Sequence, residues 1–303
     1  MRFIVSLCNK KASVERERDK KMLYPGVFLL EIDSETDTIN PIKVRWWSWG
    51  SRGVTGLMPY KEGFLCLLQA KRHRLFWLDK NYKVKKSWRL KRVKDGHSLA
   101  VKDDKIYIAS TGNDSIVEFI PETGEERIFW KENSMERDSI HMNSMIWMGS
   151  HMIISAFGKK AGEQWITARN GFLMNIHTGQ KIKDSLFHPH TLLKTEQGVF
   201  LCESAKKRVI ALNEADILDV ERGYVRGLLI TEDEIAVGIS HARRRSKSTG
   251  KLNRLDDELM SSFRNGCGIK IYRRHGKRLR ESEFVKFIDL YPFSNEIYDL
   301  ILI

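Results

Sequence analysis

The feature that most constrains this chain is a recurring opening, a short polar stretch closed by Leu or Met and followed by a run of brief strands. It reads GVTGL at 53–57, DGHSL at 95–99, HMNSM at 141–145, HPHTL at 188–192, YVRGL at 224–228 and EIYDL at 296–300. Aligned on the closing Leu or Met, successive openings lie 42, 46, 47, 36 and 72 residues apart. A four-stranded propeller blade takes about 40 to 50 residues. The period therefore predicts an all-β, six-bladed β-propeller, with the long last gap explained by a polar insertion at about 243–264.

Between the openings, apolar runs are short, alternating and bounded by turn residues: KIYIAS, SIVEFI, HMIISAF, GVFLCES and EIAVGIS are typical. Turn chemistry separates them, as in Glu122-Thr-Gly124 and His177-Thr-Gly179. Two stretches, Asn213 to Glu221 and Leu252 to Phe263, read as helices. The last opening runs off the C-terminus with no further strands, and the missing ones stand at the N-terminus. FIVSLC matches KIYIAS in pattern, and GVFLLEIDSETDTI matches SIVEFIPETGEERI. N-terminal strands and a C-terminal strand are expected to close the last blade together, which removes exposed sheet edges. Residues 1–303 then form one domain.

No apolar run approaches the roughly 18 residues that a membrane helix needs, so no membrane span is expected. The N-terminal apolar stretch is shorter than a signal-peptide core and is followed by Lys10 and Lys11. The four cysteines, Cys8, Cys66, Cys202 and Cys267, form no CxxC pair, and three of them sit in apolar runs. They read as reduced core residues and point to a cytoplasmic location. Lys and Arg exceed Asp and Glu by 13, a balance that favours anionic partners without selecting one. Nucleic-acid recognition is the weakest of these, because no recognised motif is present and the basic residues are dispersed. Oligomeric state is left open.

The first strand of a propeller blade lines the central channel. The residues two before each closing Leu or Met are Thr55, His97, Asn143, His190, Arg226 and Tyr298. Four before it stand Gly53, Asp95, His141, His188, Tyr224 and Glu296. Side chains two apart on a strand share a face, so these groups converge at the channel mouth. The ends of the second strands add Gln69, Thr111, Glu203 and His241. Imidazoles and a carboxylate aimed at one axis are costly unless paired or ligated. His97, His141, His190, His241 and Glu296 are therefore the candidate ligands of one divalent ion, Zn²⁺, Mn²⁺ or Fe²⁺. Arg226, Asn143 and Tyr298 are the candidate catalytic residues, with Arg226, Tyr224 and Gln69 contacting an anionic substrate. Against this stands the plainer alternative that single channel histidines are hydrogen-bonded structural groups. His188 precedes a proline and can simply hold a turn, and Tyr224 and Tyr298 can pack the channel.

The segments IHMNSM, FHPHTL, GYVRGLLI followed by AVGISHAR, NGCGIKIY and SNEIYDL resemble a propeller family known as domain of unknown function 4915. The resemblance covers most of the chain from about Asp95 onward and the N-terminal closing strands. It carries over to His141, Asn143, His190, Arg226, Gly227, Cys267, Gly268, Glu296, Tyr298 and Asp299, while His241 departs from the family's pattern. It implies the fold and no particular activity.

The expected function is that of a metal-binding propeller enzyme of lyase, hydrolase or transferase type. Its substrate would be an anionic small molecule or acidic glycan bound at the channel mouth. A metal-free variant would use His190 or His97 as base or nucleophile, with Asn143 and Arg226 stabilising a transferred group. The competing reading is a noncatalytic scaffold for a protein or acidic polymer. The run Trp46-Trp47-Ser48-Trp49 would supply a docking patch unless it serves blade packing instead.

Overall fold

The computed structural model describes residues 1–8, 26–46, 50–132, 137–212, 216–241 and 266–303. The expected insertion at 243–264, the expected helix at Leu252 to Phe263 and Trp47 to Trp49 lie outside them. Six four-stranded antiparallel sheets are present, each a meander from an inner to an outer strand. The inner strands are Gly53–Tyr60, Gly96–Lys102, Met142–Met148, Pro189–Thr195, Tyr224–Ile230 and Ile297–Leu302. Each touches the next and the last touches the first, so they close a ring around one axis. The chain is a six-bladed β-propeller, as the period predicts.

The sixth blade is composite. Its inner strand Ile297–Leu302 pairs with Arg2–Leu7, which pairs with Leu29–Asp33, which pairs with Thr38–Ile42. The joint holds Phe3 opposite Leu302 and Val5 opposite Leu300, and Cys8 N–H donates to the Glu296 carbonyl at 3.0 Å.

Strands in the middle of a blade are covered on both faces by neighbouring blades, which explains their unbroken apolar runs. In Lys105–Ser110 and Gly198–Glu203 every residue after the first is buried. Outer strands such as Lys181–Leu186 alternate little and stay exposed until their last residue. Between the sixth and first blades Ile4, Phe28, Leu57, Phe64, Cys66 and Phe76 form one core layer. Trp46 joins it, edge-on to Phe76 at 5.2 Å, so the first tryptophan of the aromatic run is a packing residue. Filling such a layer with an aromatic side chain contributes about 1.5–3 kcal/mol.

One expectation is overturned. The stretch Asn213 to Glu221 carries the strand Ile217–Asp219, paired with Arg208–Ala211 through Val209 opposite Leu218. Only Leu218 of the three is buried, which is the period-two signature of an outer strand rather than a helix face. The helical turns among the described residues are three-residue 3-10 turns at Thr111–Asn113, Trp165–Thr167, Ser204–Lys206 and Leu279–Glu281.

Candidate functional site

All six blades interrupt their inner ladder at the same height. The register shifts between Val54 and Gly56, Gly96 and Leu99, Met142 and Ser144, His190 and Leu192, and Val225 and Leu228. In the closing blade Tyr298 and Asp299 together oppose the single residue Ser6, so the extra residue again lies on the inner strand. A bulge sets two residues against one and breaks the strict alternation of faces. Two consecutive side chains per blade can then turn toward the axis. His97 and Ser98, Asn143 and Ser144, His190 and Thr191, and Tyr298 and Asp299 line one cavity together with Arg226. The second member of three of these pairs also ties blades together. Leu192 N–H donates to Ser144 Oγ at 2.9 Å, Gly227 N–H to Thr191 Oγ1 at 2.9 Å, and Leu57 N–H to Asp299 Oδ2 at 3.0 Å.

Three consecutive blades orient their cavity side chains by one local device. Asp95, His141 and His188 adopt left-handed backbone, with φ of 48°, 50° and 54°. Such φ values are uncommon for residues with a Cβ and cluster where the surrounding fold enforces them. Each turned carbonyl accepts from the side chain two residues on. His97 Nδ1 meets Asp95 O at 2.8 Å, Asn143 Nδ2 donates to His141 O at 2.8 Å, and His190 Nδ1 meets His188 O at 3.2 Å. His190 Nδ1 also lies 2.8 Å from Ser204 Oγ, whose own proton goes to the Val225 carbonyl. Carbonyl acceptors fix the proton on Nδ1 and the amide nitrogen of Asn143 toward the backbone. What remains for the cavity is a set of acceptors: His97 Nε2, His190 Nε2 and Asn143 Oδ1. Asn143 Oδ1 is fully buried with no hydrogen-bond partner among the described residues.

Both imidazoles are held neutral. Burial, aided by the charges of His141 and Arg226, pushes the His97 pKa down to about 3. Burial and then the Arg226 guanidinium hold His190 well below its ordinary value. Each nitrogen facing the cavity therefore keeps its lone pair throughout the physiological range.

The fifth blade supplies the opposite character. Arg226 is 7% exposed, and its guanidinium lies over the Tyr298 ring at 4.0 Å. Among the described residues it has neither a carboxylate within ion-pair distance nor a hydrogen-bond acceptor. Glycines make room around it. A Cβ on Gly227, at φ +75°, would lie 2.3 Å from Leu300, and one on Gly238 would lie 2.0 Å from the Arg226 carbonyl. Asp299 shares the cavity. Burial pushes its pKa up to about 7, against the lowering effects of the Leu57 N–H and Arg226.

The remaining predicted residues stand outside the cavity. His141 sits at the rim, with Nδ1 2.8 Å from Asp138 Oδ1 and its ring against Trp165 and Phe157. Tyr224 O–H faces His188 Nδ1 at 3.0 Å, while His188 Nε2 meets the Trp165 carbonyl at 3.0 Å and its ring stacks on Phe157. Tyr224 thus supports the mouth rather than lining it. Gln69 donates to Asp95, and Thr55 and Thr111 donate to the backbone carbonyls of Gly96 and Met142. Glu203 is consumed by Phe187 N–H, Arg208 and Lys206. Glu296 is buried beside Ser294, and His241 lies next to Tyr291.

Of the five expected metal ligands, only His97 and His190 line the cavity, and a guanidinium lines it with them. Among the described residues no group of three or more His, Cys, Asp or Glu is placed to hold a metal ion. Ser98, Ser144, Thr191 and Asp299 are cavity residues that alternation alone assigns to the other face. Only Asp299 carried a signal, through the family resemblance.

The two ends of the propeller differ in charge. Among the described residues, basic groups such as Lys71, Arg72, Lys91, Arg92, Lys159 and Lys206 outnumber acids in the connections at the mouth, whereas the far turns mix Asp37, Asp104, Glu122 and Glu232 with Lys61, Lys80, Lys277 and Arg278. A field of this sense draws anions to the mouth. No helix among the described residues is long and apolar enough to cross a membrane.

Solved structures share the architecture at low identity. A chain of a crystallised nidogen/laminin complex matches at TM-score 0.59 and 8% identity, covering 99% of this chain and 97% of that one. The Pan2 WD40 domain of Neurospora crassa matches at TM-score 0.37 and 9% identity, covering 88% and 61%. A protein of unknown function from Bacteroides caccae matches at 0.39 and 8%, covering 90% and 78%. The first likeness speaks for the fold alone. No curated protein matches the chain. A family model does match it, over residues 65–303, and with the mouth motifs at Asn143, His190, Arg226 and Tyr298 inside that span, the chain belongs to the family described as Domain of unknown function (DUF4915).

Proposed function

We propose that the channel mouth binds a small anionic molecule through Arg226 and that His97 and His190 act on it as neutral bases. One observation carries this reading. A buried guanidinium, with no protein acceptor among the described residues, faces a cavity lined by two imidazole lone pairs, an unpartnered amide oxygen, several hydroxyls and the Asp299 carboxyl, which lies beyond ion-pair distance of it. A buried cation is expensive unless something pairs with it, and an anionic ligand supplies the missing partner. Arg226 is the clamp, and Tyr298 holds the guanidinium plane by stacking and is the candidate proton donor. Asn143 positions the ligand, and the imidazoles, with free Nε2 atoms, are suited to take a proton from it. The cavity has about 240 Å³ of empty space, open end included. That figure includes open solvent and the enclosed part is far smaller, so the mouth suits a compact anionic group better than the body of an acidic glycan.

The experiment is a panel of small anions tested by calorimetric titration against wild type and Arg226→Gln. Saturable binding lost in the variant supports the reading, and binding that survives the substitution refutes it. A second reading keeps a divalent ion, because two imidazoles present unprotonated Nε2 atoms to one cavity while carbonyls orient their Nδ1–H groups, the usual support of a metal-bound histidine. Elemental analysis of untagged protein separates the two. About one ion per chain, lost in His190→Ala, would favour metal.

A further inference from the structure

The arrangement of donors and acceptors restricts the ligand beyond its charge. Taking the mouth as the anion site proposed above, on which this inference rests, we infer that the ligand is a compact hydroxy acid, a carboxylate with hydroxyl groups on the neighbouring carbons.

The cavity offers one strong donor group and several acceptors. Arg226 presents N–H groups in a fork that one carboxylate fills with its two oxygens. His97 Nε2, His190 Nε2 and Asn143 Oδ1 accept only, since their protonated partners are already turned to the backbone. Ser98 and Ser144 can serve either way, and Asp299, whose Oδ2 already takes the Leu57 N–H, adds a further acceptor when ionised. A fully ionised inorganic anion satisfies Arg226 but sets its remaining oxygens against three lone pairs. An ammonium donor would satisfy the acceptors but places a second cation beside the guanidinium. A hydroxyl donates without charge, and several hydroxyls next to a carboxylate answer all three acceptors at once. The small cavity sets the size: a few heavy atoms beside the carboxylate, or the acidic end of a longer molecule that leaves through the open side.

The test is calorimetric titration at pH 7.5 with matched pairs, glycolate against acetate and glycerate or lactate against propionate, with glycine and inorganic phosphate alongside. A buried acceptor left unmet costs about 1–3 kcal/mol, so each hydroxy acid should bind about 5- to 150-fold more tightly than its deoxy counterpart. Asn143→Ala should narrow that ratio by weakening each hydroxy acid more than its deoxy counterpart, and Arg226→Gln should remove both members of each pair. Equal affinity for glycolate and acetate overturns the hydroxy-acid assignment and leaves the anion site standing. So does tighter binding of glycine or phosphate than of glycerate. If no anion binds wild type, the anion reading falls, and this inference falls with it. Circular dichroism of each variant confirms that a lost signal is not a lost fold.

Discussion

Replacing Arg226 by Met should make the protein more stable while removing its capacity to bind anions. The guanidinium is 7% exposed, and removing such an ion from water costs several kcal/mol even after relaxation. Two features give some of that back: the Tyr298 ring at 4.0 Å, worth about 0.5–2 kcal/mol, and contact with the cavity. Met keeps the unbranched stem and most of the volume, so little packing is lost. The substitution creates no new buried charge either. Without Arg226 the Asp299 carboxyl, already pushed up to about 7 by burial, moves higher and stays protonated at neutral pH. The expected net gain is about 1–3 kcal/mol, a rise in Tm of about 1.5–5 °C for a domain of this size. Scanning calorimetry and urea unfolding at pH 7.5 without added anions measure it. Adding 20-fold Kd of a bound anion should stabilise wild type by about 1.8 kcal/mol and leave the variant unchanged. A variant that melts 1 kcal/mol or more below wild type would refute the reasoning and make the guanidinium a structural element.

Acid should destabilise the fold from about pH 6.5 downward. His97 and His188, pushed by burial to about 3, and His190, held well below its ordinary value, stay neutral when folded but protonate below 6.5 when unfolded. Asp299 acts in the opposite sense, keeping its proton up to about 7 in the folded chain against an ordinary 3.8. Three imidazoles against one carboxyl leave the unfolded chain about two protons richer, so stability falls by up to about 2.7 kcal/mol per pH unit. Urea midpoints between pH 7 and 5 read the slope, and His190→Asn should reduce it by about one proton; an unchanged slope contradicts the assignment. Gly227→Ala should cost about 2–5 kcal/mol, from the left-handed φ of +75° and the 2.3 Å approach to Leu300. A loss below 1 kcal/mol in equilibrium unfolding would mean that the bulge relaxes freely. All four thiols are free and buried, so a thiol-reactive dye should label none in native buffer and four in urea. Prompt labelling of even one would contradict that burial.

The fold was readable because a propeller repeats its instructions. The closing Leu or Met of each opening, Leu57, Leu99, Met145, Leu192, Leu228 and Leu300, is buried in every blade. The residue two before it reaches the axis in at least five blades, as alternation requires. Alternation also placed Asp95, His141, His188, Tyr224 and Glu296 beside them, and there it failed. Bulges and left-handed turns lie between the two sets, and a bulge has no signature in a single sequence when Asp or His, rather than Gly, takes the positive φ. The same bulges turned Ser98, Ser144, Thr191 and Asp299 inward. The helix expected at Asn213 to Glu221 failed for a different reason. A three-residue outer strand is too short for its period to show, so local propensity prevailed in the reading while pairing with Arg208–Ala211 prevailed in the fold.

The composite sixth blade has a kinetic corollary. Phe3 meets Leu302, a pairing that spans nearly the whole polypeptide, and contacts that distant in order form slowly because the ends must first find each other. The strand that fastens this clasp is also the one that carries Tyr298 and Asp299 into the cavity. A partly folded chain with five blades in place would thus have its guanidinium without the ring that stacks on it. With the proposed anion site, recognition would begin only when the circle shuts, and a bound ligand, touching several blades at once, would in turn keep the clasp from springing open.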